Sequence, residues 1–208
     1  MELFLTSSVH AVAYDIAKRV NLSKANRLVF INTATEPKGE REDLEWLMND
    51  RQALVNAGFT VIDYTITGKS KNELEKDLNN FDYVYMSGGN TAYLLEQSQR
   101  SGFISVIKDF VKSKNKVYIG TSAGSIIAGP RLPDYFSDED ADLQDANGYG
   151  FVNFTLLPHW GSEDFREKYL GKRLKIVYKK DQVPLLLLTD DQYVHVKDGY
   201  IQIVEVNK

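Results

Sequence analysis

The feature that most constrains the fold is a tight turn between two apolar segments at residues 117–129. This stretch reads Val-Tyr-Ile-Gly-Thr-Ser-Ala-Gly-Ser-Ile-Ile-Ala-Gly, so Ser122 stands between Gly120 and Gly124. A strand that passes directly into a helix strains the middle residue of the turn, and glycines on either side remove clashing Cβ atoms. The pattern predicts a nucleophile elbow, with the N–H of Ala123 facing a developing oxyanion. A small-residue turn without chemistry is the alternative.

The chain has three histidines, which limits the candidates for a general base. His10 lies early in the first predicted helix, where a polar or solvent-facing side chain is expected, and His195 lies in a late strand. His159 follows an extended segment and Pro158, so it lies on a loop beyond a strand end, where α/β enzymes place a base. We expect its Nε2 within about 4 Å of Ser122 Oγ. A histidine that caps the next helix is the alternative.

A second strand-like run ends in adjacent glycines before a predicted helix, at Gly88, Gly89 and Asn90. Two glycines in a row let a backbone approach a ligand closely. The N–H groups of Gly89 and Ala123 are therefore predicted to form an oxyanion hole. A phosphate cradle is the rival interpretation, but neither G-x-G-x-x-G nor G-x-x-x-x-G-K-[ST] occurs here.

The three motifs together resemble the peptidase E group of serine peptidases, which includes aspartyl dipeptidases and cyanophycinase. The matching segments are Gly88-Gly89-Asn90-Thr91 with Leu94-Leu95, Gly120-Thr121-Ser122-Ala123-Gly124-Ser125 and Leu157-Pro158-His159. The resemblance covers essentially the whole chain. It implies an α/β fold with a doubly wound, mostly parallel sheet sandwich, similar to the class I glutamine amidotransferase domain. The nucleophile in that family is Ser or Cys, and this chain contains no Cys.

The same resemblance implies a serine exopeptidase that needs no metal or cofactor and cleaves short peptides, with an N-terminal or isoaspartyl Asp as the preferred residue. Gly88 and Asn90 would then contact substrate, and Arg131 would pair with a substrate carboxylate. In the acidic run that follows the elbow, Asp138 and Asp140 are equal candidates for binding the substrate's α-ammonium. A cyanophycinase-like amide hydrolase and a catalytically silent binding or regulatory protein are the alternatives.

The acid that orients the histidine is where this chain departs from the family. Relatives place Glu or Asp shortly after a late strand, and here the best register puts Gln192 at that position. Glutamine can fix the tautomer of His159 but cannot stabilise an imidazolium by charge. We favour Asp191 as the orienting acid, with Asp190 as the substitute. The alternative is that both aspartates cap a turn.

The length and composition of the chain are typical of a single globular domain. At 208 residues and 43% hydrophobic, the chain can bury a single core, so we predict one domain over residues 1–208. Strands that alternate with helices predict mostly parallel pairing. A net charge of −4 argues against nucleic-acid binding, and no run approaches the ~18 apolar residues of a membrane span. The absence of Cys and the short apolar start predict a cytoplasmic protein. We expect a monomer or homodimer whose partner is a small peptide substrate.

The sequence predicts one helix with an apolar stripe and one helix with many basic residues. The first runs from Glu40 to Ala57, with a core stripe of Leu44, Leu47, Met48, Leu54 and Val55. The second lies in the basic run of residues 166–180, whose seven cations are expected on a solvated face.

Overall fold

The computed structural model describes residues 1–38, 44–114, 116–138, 141–178 and 183–206. The strands in these ranges are β1 Glu2–Thr6, β2 Arg27–Ile31, β3 Thr60–Tyr64, β4 Tyr83–Met86, β5 Val117–Thr121, β6 Thr155–Leu157, β7 Leu185–Leu187, β8 Gln192–Lys197 and β9 Tyr200–Glu205. The α-helices are α1 Val9–Arg19, α2 Glu45–Asn56, α3 Lys71–Leu78, α4 Thr91–Arg100, α5 Phe103–Lys112, α6 Ala123–Ile126, α7 Glu163–Arg166 and α8 Leu174–Val177. Short 3₁₀ helices cover Thr33–Lys38 and Asp134–Asp138, and a π-helix at Glu167–Arg173 joins α7 to α8.

Seven strands form the main sheet in the order β3-β2-β4-β5-β1-β8-β9. The first five of these pair in parallel, and β8 and β9 add to the β1 edge in antiparallel orientation. A separate parallel pair joins β6 to β7. The predicted α/β class and mostly parallel sheet are confirmed. Because the carboxyl ends of parallel strands lie at one edge, the loops after β1, β4 and β5 meet there.

The alternation of side chains along the strands divides the core between two faces of the sheet. In β1, Leu3 and Leu5 join one buried cluster while Phe4 joins the other. Helices α1 and α2 cover the face of Phe4, whereas α4, α5 and the helical residues 163–177 cover the opposite face. A ligand at the carboxyl edge therefore lies between walls built from two different sets of helices.

Helix α2 buries a narrower stripe than its sequence predicts. Leu47 and Leu54 are buried as expected, but Met48 and Val55 are exposed. Asp50 takes the inward position instead and is 1% exposed. The predicted start of this helix at Glu40 falls outside the described residues. No helix in the described ranges has the length and apolar character needed to cross a lipid bilayer.

Candidate active site

Ser122 occupies the turn between β5 and α6 in a strained backbone conformation. Its φ of 49° and ψ of −107° lie in a region that non-glycine residues rarely adopt. Two bonds to the carbonyl of Thr6 hold the turn against β1: the N–H of Ser122 donates at 3.1 Å and Ser125 Oγ at 2.7 Å. Such strain persists only where surrounding contacts enforce it. The turn has the geometry of a nucleophile elbow.

The two glycines of the motif allow three backbone segments to come close together. A Cβ on Gly124 would lie 2.2 Å from the carbonyl oxygen of Met86 in β4, and one on Gly120 would lie 2.7 Å from the carbonyl carbon of Gly124. Both distances are far inside van der Waals contact. The glycines therefore let α6 start directly against the sheet, which leaves Ser122 at its carboxyl edge.

His159 lies beside Ser122, on the loop that follows β6. Its Nε2 is 3.1 Å from Ser122 Oγ, inside the expected range. The residue has a φ of 61°, and its ring stacks on Phe165 with centroids 4.4 Å apart. The stacked ring and the strained backbone fix the direction of the imidazole. It is thereby placed to accept the hydroxyl proton of Ser122.

The carboxylate at the other ring nitrogen belongs to Asp190. His159 Nδ1 donates to Asp190 Oδ1 at 2.7 Å, and Ser7 Oγ donates to the same oxygen at 2.6 Å. Ser7 Oγ also accepts the backbone N–H of His159 at 2.7 Å. Burial opposes ionisation of this carboxyl, but the hydrogen bonds from His159 and Ser7 outweigh it and lower the pKa of Asp190.

The prediction that Asp191 or Gln192 contacts the imidazole is corrected by this geometry. Gln192 turns its amide oxygen back to the N–H of Thr189 at 3.2 Å. The N–H of Gln192 in turn donates to the carbonyl of Thr189, so these residues form a tight turn before β8. Asp190 is the residue that this turn directs at His159.

The predicted oxyanion donors lie at the starts of α4 and α6. Gly89 has a φ of 136°, which favours glycine, and a Cβ there would lie 2.3 Å from the carbonyl oxygen of Ala34. Within the described part of the chain, neither the N–H of Gly89 nor that of Ala123 has a hydrogen-bond partner. Unsatisfied N–H groups beside a hydroxyl can bind a negatively charged oxygen.

We expect Gly89→Ala to lower the free energy of unfolding by at least about 3 kcal/mol, because strained φ and steric overlap add together. Gly161 is a matched control, since its φ is 85° but nothing lies within 4 Å of its Cβ position. Gly161→Ala should cost about 1 kcal/mol. Urea denaturation of both variants measures the difference. Equal losses would contradict the close approach of Gly89 to Ala34.

A cleft of about 410 Å³ at the carboxyl edge of the sheet is lined by Gly89, Ser122, His159 and Asp190. One wall comes from α1 and α2 and carries His10, Trp46 and Asp50; the other comes from residues 136–173. That second wall includes Phe136, Ser162, Asp164, Phe165, Lys168, Tyr169 and Arg173. A cleft of this size suits a small ligand.

Arg173 is the most unusual member of the second wall, because it is 7% exposed and still lines the cleft. Its guanidinium carbon lies 4.6, 5.1 and 5.5 Å from the ring centroids of Tyr135, Phe136 and Tyr169. Among the described residues, no carboxylate forms an ion pair with it. A buried cation is costly unless it is paired, so this site favours an anionic ligand.

Gly88, one of the predicted substrate contacts, lines the cleft. The other predicted contacts have different positions or partners. Asn90 caps α4 by accepting the N–H of Tyr93 at 2.8 Å. Arg131 is 59% exposed, lies 4.0 Å from Asp134 and faces a different pocket. The side chain of Asp138 and the whole of Asp140 lie outside the described residues.

Sequence reasoning missed Ser7, His10 and Arg173. Ser7 falls in the opening segment that the resemblance includes, at the end of β1, so its position after a strand was a usable signal. His10 was expected to have a polar or solvent-facing side chain, and it is half exposed, but its place in the cleft wall and its contact with Asp50 were not predicted. Arg173 was hidden within a basic run that reads as a surface helix.

The sequence is similar to those of known peptidases. The sequence matches the model of peptidase family S51 over residues 3–204. An uncharacterised peptidase of Listeria monocytogenes is 29% identical over 82% of this chain and 86% of its own length. Peptidase E of Escherichia coli is 34% identical over 59% of this chain and 55% of its own length.

A crystal structure of a candidate peptidase E protein from Listeria monocytogenes superposes with a TM-score of 0.84. It has 25% identity and covers 99% of this chain and 98% of that one. A peptidase from an acI-B1 actinobacterium shares the fold, with a TM-score of 0.74 at 17% identity, over 99% of this chain and 87% of that one. The family match spans nearly the entire chain, and the protein therefore belongs to peptidase family S51 and is a serine-type peptidase.

Proposed function

We propose that the protein is an exopeptidase that removes an acidic N-terminal residue, above all Asp, from short peptides, with Ser122, His159 and Asp190 as its catalytic groups. The single observation that carries the substrate assignment is the buried guanidinium of Arg173 in the cleft that holds Ser122. The absence of Cys supports a cytoplasmic location as part of the same proposal.

The reaction follows from the contacts at Ser122. Its Oγ attacks the carbonyl carbon of the scissile bond while His159 Nε2 accepts the hydroxyl proton. Asp190 stabilises the imidazolium that forms, and the N–H groups of Gly89 and Ala123 donate to the oxyanion. His159 then gives the proton to the leaving amine, whose departure leaves an ester on Ser122. Water activated by His159 hydrolyses that ester and restores the free serine.

Arg173 supports a preference for a carboxylate on the first residue. The aromatic rings around Arg173 exclude water from one side of its guanidinium. Because no carboxylate among the described residues forms an ion pair with Arg173, a substrate carboxylate would supply an anion there. Lys168 lines the same wall and adds a second positive charge to it. A neutral substrate side chain in that position would bring no negative charge to the guanidinium.

The contact of Asp190 with His159 also bears on the alternative of a silent binding protein. That alternative rested on Gln192, which cannot supply charge to the imidazole. With an aspartate at Nδ1, the reason for expecting inactivity is gone.

We expect Arg173→Met to lower kcat/KM for Asp-Leu by about 10²-fold, because a charged hydrogen bond contributes about 1.5–3 kcal/mol. Methionine retains much of the apolar volume that packs against Tyr169, so folding should persist. The rate on Ala-Leu should change far less. Release of free leucine, measured by chromatography, gives both rates.

Arg131→Met is the matched control, because Arg131 lies outside the cleft. This variant should keep the preference of the wild-type enzyme for Asp-Leu over Asn-Leu. The substrate proposal fails if the wild type cleaves these two dipeptides equally well.

A further inference from the structure

His10 gives the cleft a second imidazole, on the wall opposite Arg173. It lies in the first turn of α1, and its side chain is 47% exposed. Both His10 and Arg173 line the cleft that contains Ser122. Helix α1 packs on one face of the sheet, whereas Tyr169, next to Arg173, packs on the other. The cleft therefore carries basic groups on both sides of the nucleophile.

Buried Asp50 holds the imidazole in place. Asp50 Oδ1 lies 3.2 Å from His10 Nδ1 and accepts the backbone N–H of His10 at the same distance. Its other oxygen accepts the hydroxyl of Tyr85 at 2.6 Å. Ser8 Oγ also lies 2.9 Å from His10 Nδ1. Nδ1 is engaged by these partners, and Nε2 has no hydrogen-bond partner among the described residues, so Nε2 is the ring nitrogen that can bind a ligand.

The charges around His10 favour its protonated form. The hydrogen bond with Asp50 raises its pKa, burial opposes that rise, and the charges of Asp50, Asp190 and Asp191 add to it. These carboxylates come from α2 and from the loop after β7; Tyr85 of β4 contributes a neutral hydroxyl. A protonated ring donates from Nε2, which is the correct polarity for binding an anion.

The position of His10 at the start of α1 places it on the side of the cleft where the leaving residue of the substrate would bind. The leaving amine takes its proton from His159 Nε2, so the leaving residue must lie on the side of His159. Ser7, which contacts both His159 and Asp190, lies two residues before the start of α1, where His10 lies. In a dipeptide, the leaving residue carries a free α-carboxylate close to the scissile bond.

We propose that His10, held by Asp50, binds the α-carboxylate of the leaving residue and so makes the cleft selective for dipeptides with a free carboxyl terminus. This inference rests on the exopeptidase function proposed above and adds a second anion site to it. His10 is the binding residue, and Asp50 is a positioning residue that acts through it.

The test compares Asp-Leu with its amide, Asp-Leu-NH₂, which lacks the carboxylate charge. In the wild type we expect kcat/KM to be about 10- to 100-fold higher for the acid. In His10→Gln that ratio should fall close to 1, mainly through a higher KM for the acid. His195→Gln is the matched control, because His195 also pairs with a carboxylate, Glu2 at 2.9 Å, but lies outside the cleft.

The pH profile tests the part played by Asp50. The preference for the acid should be lost as pH rises through the pKa of His10, and Asp50→Asn should move that loss about one unit lower. A general structural defect would lower both rates without moving the profile of their ratio. If Asp50→Asn fails to fold, the ratio in His10→Gln still decides the proposal.

Binding to Ser122→Ala separates this proposal from the peptidase function. Titration calorimetry should give about 10-fold or tighter binding of Asp-Leu than of Asp-Leu-NH₂, and His10→Gln should remove the difference. If the wild type cleaves neither peptide, the proposed function fails, and this binding difference still decides the anion site. Equal affinities in Ser122→Ala, or a His10→Gln variant that retains the full acid-to-amide ratio, would overturn the proposal.

Discussion

Ser122→Ala should reduce kcat for Asp-Leu by about 10⁶-fold, because removing the nucleophile of a serine peptidase costs nearly the whole advantage of its catalytic groups. Alanine has a smaller side chain than serine, and the substitution keeps the hydrogen bonds that the N–H of residue 122 and Ser125 Oγ donate to the carbonyl of Thr6. The circular dichroism spectrum and the denaturation midpoint should therefore stay near those of the wild type. Labelling by a fluorophosphonate should disappear together with turnover.

Ser162→Ala provides the control for this labelling. Ser162 lines the same cleft, but its hydroxyl is not the one that His159 Nε2 contacts. It should react normally with the fluorophosphonate. Wild-type rates in Ser122→Ala on any peptide would exclude the mechanism, whatever the preferred substrate.

Asp190→Asn should lower kcat by about 10⁴-fold. The amide that replaces the carboxylate cannot stabilise an imidazolium, and its NH₂ group can force His159 into the wrong tautomer. KM should change much less, since Asp190 acts on the reacting groups through His159. Steady-state kinetics on Asp-Leu over a range of pH measures both constants.

The neighbouring residues supply the comparison. Asp191→Asn should be mild, and Gln192→Glu should change kcat little, because Gln192 faces the N–H of Thr189 rather than the imidazole. A loss in Asp191→Asn as large as that in Asp190→Asn would contradict the assignment of the orienting acid. A higher kcat in Gln192→Glu would indicate that residue 192, and not Asp190, holds the position of the orienting acid.

The same carboxylate contributes to stability in a defined pH range. Because its folded-state pKa is lowered, Asp190 stabilises the fold above the ordinary pKa of an aspartate, and this contribution is lost as pH falls through the lowered value. Asp190→Asn should therefore flatten the acid side of the stability curve. Denaturation midpoints between pH 3 and 7 would reveal it.

The parts of the site that depend on local backbone geometry could be predicted from sequence. Glycines at 120 and 124 leave few structures for Ser122 other than an elbow, and only three histidines compete for the base. The Asp198-Gly199 turn likewise gives the β8–β9 hairpin, because both residues adopt positive φ there. In each case one short segment determines its own conformation.

The acid was harder to predict because two adjacent aspartates and a glutamine follow β7 in one turn. A shift of one residue changes which carboxylate meets His159, and sequence alone does not fix that register. His10 depends on a partner 40 residues away, Asp50, and a buried aspartate on α2 breaks the apolar pattern used to predict its face.

Arg173 was missed for a reason of helix geometry. A basic run is expected to place its cations on the solvated side of a helix, but Arg173 lies four residues after buried Tyr169 and therefore shares the buried side. Two of the seven cations in the basic run, Lys168 and Arg173, line the cleft.

The hydroxyl of Ser7 contacts residues that are synthesised much later than Ser7 itself. It contacts His159 and Asp190, which follow it by 152 and 183 residues, and β8 must add beside β1 before this arrangement closes. Contacts so distant in sequence form late. A ribosome-bound chain therefore carries its nucleophile for some time without a base or an acid, so peptide hydrolysis begins only after nearly the whole polypeptide has emerged and folded.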